Sequence, residues 1–251
     1  MQEHPLISVI VPCYNMERFI ADTIMSVQQQ TYPNWELLMV DDSSTDGTAD
    51  LIKTFSSNDA RIRLFVKPTH SGIANSRNQC IEMAQGRYLA FLDADDRWRP
   101  DKLERQLSFM QERQVGFSYS AYELMDEEGK ALGKTVPTAG NLDYEAYLRN
   151  TIIGCSTVMV DTQKVGKVVV PDFRTSEDTA SWLDLLRKGF KAYCIEQPLT
   201  SYRIRKHSAS SNKLKASADL WKVYRQHERL PFFKAVACFI SYAFNAIKKR
   251  I

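Results

Sequence analysis

Short apolar runs alternate with amphipathic segments along the first half of the chain. Residues 6–12, LISVIVP, form a β-branched run that ends at proline, and residues 17–30 repeat their apolar side chains at helical spacing. The same strand-then-helix pattern recurs over residues 35–55, 61–84 and 87–112. Strands that alternate with helices in this way predict an α/β fold, with a mostly parallel sheet and helices on both faces.

The alternation weakens after residue 115. The patterns there predict a strand over residues 117–125, then a glycine-bearing turn and a second strand over 126–134, and a short helix over 142–150. Two further strands are predicted over 156–161 and 191–197, separated by a longer helix over 177–189. We predict one main domain over residues 1–205, divided near residue 115, and a helical tail over residues 206–251.

Composition places the chain in a broad class. It has 251 residues, of which 44% are hydrophobic and 25% charged, as in ordinary globular proteins. Its five cysteines are scattered and lack metal-ligand spacing, so we expect free thiols in a reducing cytosol. The first twelve residues contain no basic segment followed by a long apolar one, which predicts a protein without a signal peptide, on the cytoplasmic side.

Polar residues gather where the predicted strands end. PCYN (12–15) follows the first strand, DDSSTDGT (41–48) the second and DADD (93–96) the fourth. In open parallel sheets ligands bind beyond the carboxyl ends of the strands. These three segments are therefore the expected binding region.

Asp93, Asp95 and Asp96 would repel one another without a counter-charge. One interpretation is structural, because aspartates commonly form turns and caps at strand ends. The other is that two carboxylates at positions i and i+2 bind a divalent cation such as Mg²⁺ or Mn²⁺, whose open positions accept substrate phosphates. The ten glycines include neither GxGxxG nor a P-loop, which disfavours dinucleotide dehydrogenases and P-loop enzymes.

Five segments in this order and spacing resemble the GT-A glycosyltransferases of family 2: SVIVPCYN, VDDSSTDGT, SGIANSRN, GRYLAFLDADD and SEDTASWLDLLRKG. The resemblance covers residues 6–205 and implies a Rossmann-like GT-A fold and inverting transfer from a nucleotide sugar. It makes residues 1–115 the nucleotide-sugar-binding half and 116–205 the acceptor-side half. NTIIGCSTVMVD and SSNKLKASADLWKVYRQHERL look like the bacterial branch of teichuronic acid, O-antigen and capsule enzymes.

The resemblance assigns residues to the nucleotide. It implies that Pro12 and Tyr14 line a uracil pocket, that Asp42 accepts a hydrogen bond from the base, and that Arg77 lies near the diphosphate. The alternatives are a packed aromatic for Tyr14 and a helix-surface arginine for Arg77. The chain departs from the family at His70, where asparagine is common, so the resemblance does not assign the contact of that asparagine to this chain.

The resemblance also implies a metal site at residues 93–96, which we call the acidic loop. Asp95 matches the metal ligand, Asp93 contacts ribose or the metal through water, and Ala94 lies between them in the nucleotide-sugar-binding loop. His207, in a closing segment, is a further candidate ligand, although a lone histidine in a basic loop is usually solvated. Mn²⁺ or Mg²⁺ is the expected cofactor.

The later motif supplies the expected catalytic base. Asp178 matches the family's general base, and Glu177 and Trp182 are expected on the acceptor side. An acidic helix start is also common for helix-dipole reasons alone. Inverting transfer is a single displacement, for which one carboxylate base is enough.

The tail is basic and amphipathic. Residues 203–251 carry a net charge of +10 within a chain of +3, which leaves −7 for residues 1–202. The expected apolar face of the last helix holds Phe232, Val236, Phe239, Ile240, Ala243, Phe244 and Ile247. Two alternatives stay open: docking on the catalytic domain or a partner subunit, and binding at an anionic bilayer interface, which we favour.

These patterns predict a metal-dependent inverting glycosyltransferase at the inner face of the plasma membrane. The resemblance implies that it moves a sugar from a UDP donor to a lipid-linked or oligosaccharide acceptor of a growing cell-surface glycan. No nucleic-acid partner is predicted, and the oligomeric state, sugar and linkage stay open. The rivals are a sugar nucleotidyltransferase, which would need a glycine-rich basic loop after the first strand, and a non-catalytic nucleotide-sugar-binding scaffold.

Overall fold

The computed structural model describes residues 4–206 and 213–248. The strands are β1 (Ile7–Cys13), β2 (Trp35–Asp41), β3 (Ile62–Val66), β4 (Tyr88–Phe91), β5 (Arg97–Trp98), β6 (Phe117–Met125), β7 (Ala131–Val136), β8 (Met159–Asp161) and β9 (Tyr193–Arg203). The helices are α1 (Ile20–Gln28), α2 (Thr48–Asn58), α3 (Ile73–Met83), α4 (Lys102–Glu112), α5 (Tyr144–Arg149), α6 (Thr162–Val165), α7 (Glu177–Arg187), α8 (Lys213–Lys222) and α9 (Phe232–Lys248). The expected α/β architecture is confirmed.

The strands form one mixed sheet in the order β3-β2-β1-β4-β8-β6-β9-β5, with β7 paired to β6. The first four strands in this order are parallel, β8 is antiparallel to both β4 and β6, and β9 runs parallel to β6. The parallel half therefore brings the ends of β1, β2 and β4 to one edge, where the sequence places its polar segments.

Apolar side chains cover both faces of this sheet. Val9 and Val11 of β1 pack with α1, α2 and α4, whereas Ile10 packs with α3, α5 and α7 on the other face. All seven residues of β1 and of β2 are buried, as expected for strands covered by helices on both sides. The rigid sheet holds the loops that follow these strands.

The second half supplies a hairpin and the end of β9. Strands β6 and β7 pair in antiparallel fashion, and Gly129 in their turn has φ +85°, a conformation that L side chains rarely adopt. A Cβ at this glycine would also meet the guanidinium of Arg97. The hairpin therefore packs tightly beside the acidic loop that precedes β5.

The tail packs on residues 116–205 through one face. Leu220, Tyr224, Ala235 and Cys238 belong to the same buried cluster as Trp182 of α7. This contact agrees with the docking alternative. The expected apolar face of α9 was partly wrong, because the helix has two apolar faces: Ala235, Cys238, Phe239 and Tyr242 pack inward, whereas Phe233, Ala237, Ile240 and Phe244 are exposed.

Across the described residues, no helix combines the length and the apolar character that a membrane crossing requires.

Candidate active site

An aromatic and acidic group lies at the ends of β1 and β2. The ring of Tyr14 packs against that of His70, with centroids 4.2 Å apart and the ring planes tilted by 41°, and Nδ1 of His70 lies 2.9 Å from Oδ2 of Asp42. The structure thus brings together Tyr14 and Asp42, which the resemblance assigned to one pocket. It also puts His70, the position that departs from the family, between them.

Asp42 is held by the start of α3. Its carboxylate accepts hydrogen bonds from the backbone NH groups of Ser71 and Gly72, at 3.0 and 2.7 Å, and one from the Ser71 hydroxyl at 3.0 Å. Burial alone would raise the pKa of Asp42, but these donors outweigh it and lower the pKa. Asp42 therefore stays ionised as a fixed acceptor beside an exposed aromatic face.

The other residues of this loop have supporting roles. Pro12 is buried in β1, where it lies opposite Val40. Of the two residues predicted to line the uracil pocket, Pro12 and Tyr14, only Tyr14 is therefore exposed. Asn15 has φ 52°, and its Oδ1 accepts a hydrogen bond from the NH of Thr45 at 2.8 Å. Asn15 therefore fixes the loop after β1 against the loop after β2.

Asp96 has a structural role in the acidic loop. Its Oδ2 accepts a hydrogen bond from the Ser156 hydroxyl at 2.6 Å, and its Oδ1 accepts one from the NH of Arg203 at 2.9 Å. Burial, reinforced by Asp95 and Asp93, raises the pKa of Asp96 well above its usual range. Both oxygens are engaged, so Asp96 joins the loop to β9 and is not offered as a metal ligand.

Asp93 and Asp95 each bind an arginine through one carboxylate oxygen. Oδ1 of Asp93 lies 2.8 Å from a terminal nitrogen of Arg77, and Oδ2 of Asp95 lies 2.5 Å from Nε of Arg205. Their side chains are 29% and 14% exposed, in contrast to the buried Asp96. Two partly exposed carboxylates at the sheet edge are a donor set that fits Mg²⁺ or Mn²⁺.

Arg77 lies beneath this loop instead of on its surface. Its side chain is 2% exposed, and its two terminal nitrogens lie 2.8 Å from Asp93 and 2.8 Å from Glu177. The helix-surface alternative is therefore wrong, because the side chain is buried and both terminal nitrogens are committed to ion pairs, whereas a position near the diphosphate stays a prediction. The guanidinium links the acidic loop to the start of α7.

Glu177 and Asp178 begin α7 and differ in their surroundings. Glu177 is buried against Arg77, so its expected place on the acceptor surface is corrected to a buried ion pair. Asp178 is partly exposed. Burial and then the neighbouring Glu177 raise the pKa of Asp178 to about 7, with Arg77 opposing them. A carboxyl group with this pKa is suited to general base catalysis near neutral pH.

Two further predicted site residues lie in the core. Trp182 is buried between Phe91 and Phe117, with ring centroids 5.0 and 5.5 Å away, so it does not face an acceptor. Ala94 is buried, and its carbonyl accepts a hydrogen bond from the Thr23 hydroxyl at 3.0 Å, so its side chain does not face a ligand. His207 lies outside the described residues.

The sequence assigned no individual role to Arg203 or Arg205, although both lie in the closing segment that contains His207. Arg203 donates from Nε to the carbonyl of Asp95 at 2.7 Å and from a terminal nitrogen to Asp22 at 3.0 Å. Both arginines lie about 5 Å from the ring of Phe19. The available signal was the two-residue spacing of these arginines, since side chains two residues apart on an extended strand share a face.

Within the part of the chain that the structure describes, the group of three potential metal ligands lies elsewhere, at Asp184, His227 and Glu228. Arg187 pairs with Asp184 and, at 2.8 Å, with Glu228, whose other oxygen accepts a hydrogen bond from the Tyr144 hydroxyl at 2.5 Å. These carboxylates already have a cationic partner, so the group is an ion-pair network that joins α7 to the tail.

Comparison with known sequences gives the same family as the motifs. The pattern of Glycosyl transferase family 2 matches residues 8–159. The chain is 49% identical to a Bacillus subtilis (strain 168) protein named as a teichuronic acid biosynthesis glycosyltransferase, TuaG, over 98% of each chain. It is 36% identical to the Escherichia coli UDP-Glc:alpha-D-GlcNAc-diphosphoundecaprenol beta-1,3-glucosyltransferase WfgD, over 97% of this chain and 94% of that one.

Solved structures give the same fold. Staphylococcus aureus TarS with UDP-GlcNAc superposes with a TM-score of 0.71 at 21% identity, covering 87% of this chain and 64% of that one. The mannosyltransferase PcManGT from Pyrobaculum calidifontis, with GDP-Man and Mn²⁺, gives 0.72 at 18% identity, covering 96% and 70%. The chain therefore belongs to glycosyl transferase family 2 and has the GT-A fold of these enzymes.

Proposed function

We propose that the protein is a metal-assisted inverting glycosyltransferase that moves a hexose or N-acetylhexosamine from a UDP-sugar to an acceptor in cell-surface glycan synthesis. The observation that carries this proposal is the placement of three groups at one sheet edge, two of them joined by Arg77. Arg77 binds both Asp93 of the acidic loop and Glu177, the residue before Asp178, and Tyr14, His70 and Asp42 lie at the neighbouring strand ends.

The aromatic and acidic group supports a uracil nucleotide. The exposed ring of Tyr14 offers a stacking surface, and the ionised Asp42 beside it is a hydrogen-bond acceptor that suits the imide NH of uracil. The name of WfgD specifies UDP-Glc, and TarS was solved with UDP-GlcNAc, which supports a UDP donor for this chain.

Asp178 is proposed as the base of the displacement. Its carboxylate takes the proton from the acceptor hydroxyl, the hydroxyl oxygen bonds to the anomeric carbon, and the bond from that carbon to the diphosphate oxygen breaks with its electrons leaving on UDP. Attack opposite the leaving group inverts the anomeric centre. A pKa of about 7 leaves a substantial share of Asp178 ionised at neutral pH while keeping it basic.

Asp93 and Asp95 are proposed to hold Mn²⁺ or Mg²⁺. When bound, such an ion offsets the negative charge that develops on the departing diphosphate. Asp96 and Arg203 fix the backbone that carries these carboxylates, since the NH of Arg203 binds Asp96 and its Nε binds the carbonyl of Asp95. PcManGT, whose structure contains GDP-Man and Mn²⁺, supports a divalent cation in this fold.

The acceptor is proposed to be a lipid-linked saccharide or oligosaccharide. WfgD is named for transfer to a GlcNAc carried on diphosphoundecaprenol, and TuaG for teichuronic acid biosynthesis, both of which belong to the cell surface. An enzyme that uses such an acceptor works at the inner face of the plasma membrane, where nucleotide sugars are available. The sugar and the linkage are not assigned.

The exposed face of α9 supports peripheral membrane contact. Phe233 is 85% and Phe244 is 69% exposed, and with Ala237 and Ile240 they form a stripe along one side of the helix. The two acids of the described tail, Asp219 and Glu228, are engaged in ion pairs, whereas its cations include exposed side chains such as those of Lys222, Arg225 and Arg229. This combination suits an anionic bilayer interface.

The rivals have specific difficulties. A sugar nucleotidyltransferase would need a glycine-rich basic loop after β1, where this chain has PCYNMERF. A scaffold without chemistry has no need for a carboxyl group tuned to a pKa of about 7 next to a buried ion pair. A radiolabelled UDP-sugar hydrolysis and transfer assay separates these classes, because a scaffold would bind the donor without turnover.

The direct test compares the wild-type chain with Asp178→Asn and a surface control, Asp50→Asn. The donors are UDP-glucose, UDP-galactose, their N-acetyl forms and UDP-glucuronate, and the acceptor is a diphospholipid-linked GlcNAc. We expect Asp178→Asn to lose transfer but keep UDP binding by calorimetry, and Asp50→Asn to behave as wild type. Retained turnover in Asp178→Asn would overturn the assignment of the base.

A further inference from the structure

Arg205 lies at the carboxylate that is proposed to bind the metal. Its Nε is 2.5 Å from Oδ2 of Asp95, and the two side chains are only 16% and 14% exposed. Among the described residues, that Nε has no aligned hydrogen-bond acceptor. The contact is therefore an ion pair outside ideal hydrogen-bond geometry.

Arg203, two residues earlier, has a different environment. Its side chain donates to the carbonyls of Asp95 and Glu127 at 2.7 and 2.8 Å and to the carboxylate of Asp22 at 3.0 Å, and it is 1% exposed. Arg203 is thus a fixed anchor at the end of β9. Arg205, on the same side of the extended chain, follows this anchor and contacts Asp95 and the ring of Phe19.

A divalent cation on Oδ2 of Asp95 would place a second positive charge a few ångströms from the guanidinium that already lies 2.5 Å from this oxygen, and the two charges would repel each other. Binding of the cation therefore favours displacement of the arginine. Because Arg203 is anchored, Arg205 stays near the acidic loop after it leaves Asp95. The diphosphate of a bound donor then offers a new negative partner for its guanidinium.

We propose that Arg205 is an internal counter-cation that competes with the divalent metal for Asp95 and couples metal binding to donor binding. Arg205 weakens binding of the metal alone, and the donor diphosphate relieves this competition by binding the displaced guanidinium. Arg205 is in this role a positioning residue. The inference rests on the proposed function in one respect, that a divalent cation binds at Asp95.

The test measures Mn²⁺ binding to the full chain by electron paramagnetic resonance, with and without UDP, for the wild type, Arg205→Gln and Arg205→Lys. Arg99→Gln is the matched control, because Arg99 forms a surface pair with Glu123 at 3.3 Å. Circular dichroism melts verify that each variant folds. This assay reports binding and does not depend on transfer activity.

We expect Arg205→Gln to bind Mn²⁺ alone about fivefold more tightly than the wild type, the size of a modest ion pair. We also expect UDP to raise the Mn²⁺ affinity of Arg205→Gln less than that of the wild type, since linkage makes the coupling reciprocal. Arg205→Lys should fall between them, and Arg99→Gln should match the wild type.

Two outcomes would overturn the inference in different ways. If the wild type binds Mn²⁺ with UDP and Arg205→Gln shows the same Mn²⁺ affinities, the competition does not exist, while the proposed function stands. If the wild type binds no Mn²⁺ even with UDP, the metal role at Asp95 fails and the inference fails with it.

Discussion

Asp93 and Glu177 bind the same guanidinium, that of Arg77, at 2.8 Å each. One belongs to the acidic loop after β4 and the other begins α7, next to the proposed base Asp178. Because Arg77 is buried and always protonated, this bridge fixes the spacing between the metal-binding side and the base side of the site. The two halves of the domain are thereby joined at the point where chemistry is proposed.

Replacing Arg77 with methionine should destabilise the fold by about 3 kcal/mol, because it leaves Glu177 buried without its counter-charge. The free energy of unfolding in urea measures this change. Arg99→Met, at an exposed ion pair, should shift it by less than about 0.5 kcal/mol. The double variant Arg77→Met with Glu177→Met should recover part of the lost free energy of unfolding. If Arg77→Met is as stable as the wild type, Arg77 is not a structural bridge.

Transfer should depend on pH through Asp178. Its raised pKa of about 7 means that the base is protonated and inactive in acid, so kcat/KM should rise with pH to a plateau above about 8. The same shift affects stability. The folded state holds this proton where the unfolded state has lost it, so the contribution of Asp178 to stability falls as pH rises toward 7.

Asp178→Asn should remove that part of the pH dependence of unfolding, measured by thermal melts between pH 5 and 8. For the wild type, a kcat/KM that stays constant between pH 5 and 8 would contradict the assignment of Asp178 as the base.

Tyr14 should contribute to nucleotide affinity. Tyr14→Ala removes the stacking surface beside Asp42 and should weaken UDP binding about tenfold, in the range measured for base–aromatic stacking. Phe65→Ala is the control, since Phe65 is 40% exposed, close to the 39% of Tyr14, but lies on the edge strand β3. Isothermal calorimetry measures the UDP affinity of both variants. If Tyr14→Ala binds UDP as tightly as the wild type, Tyr14 does not contact the base.

Lys102 is buried in the core with its amine 3.7 Å from the ring centroid of Trp98 and no hydrogen-bond partner among the described residues. Burial lowers its pKa well below the usual range, so folding favours the neutral amine. The unfolded chain binds this proton more strongly, and stability is therefore lost as pH falls below the unfolded pKa.

Lys102→Met should consequently stabilise the protein by about 2 kcal/mol at neutral pH, with a larger gain in acid. Chemical denaturation at pH 6 and pH 9 measures the difference, and Lys53→Met on the exposed face of α2 provides the control. Destabilisation by Lys102→Met at both pH values would indicate that the amine serves a purpose that the packing does not reveal.

The exposed stripe of α9 should bind anionic lipid. Phe233→Ser with Phe244→Ser should reduce flotation with vesicles of phosphatidylglycerol and phosphatidylethanolamine by more than about fivefold, because two interfacial aromatic anchors are lost. Leu132→Ser, at an exposed apolar residue of β7, is the control. Unchanged flotation of the double variant would contradict the membrane role. If the wild type instead self-associates as its concentration rises, the stripe is a contact surface for a second copy of the chain.

The sequence predicted the parallel half of the fold because its signals are local. Each strand is a short apolar run and each helix begins soon after a polar turn, so the ends of β1, β2 and β4 and their polar residues could be located. The clustering of Tyr14 with Asp42 followed from the resemblance and agrees with the structure.

Burial of polar residues was not predictable from those signals. The resemblance implied that Arg77 lies near the diphosphate, but no local signal marked it as buried, although it shares the buried side of α3 with Ala74, Ser76 and Cys80. Trp182 was expected on the acceptor side, yet its helical face turns into the core. Arg205 lay in a basic tail, where a charge is ordinarily solvated, and its partner Asp95 is distant in sequence.

The most direct test is the affinity of the chain for UDP measured by calorimetry with and without Mn²⁺, in the wild type and in Asp95→Asn. We expect Mn²⁺ to tighten UDP binding at least about tenfold in the wild type and to have little effect in Asp95→Asn, because Asp95 is the proposed ligand. If Mn²⁺ leaves the affinity of the wild type unchanged and Asp95→Asn binds UDP equally well, the acidic loop does not hold a metal for the donor and the account is contradicted.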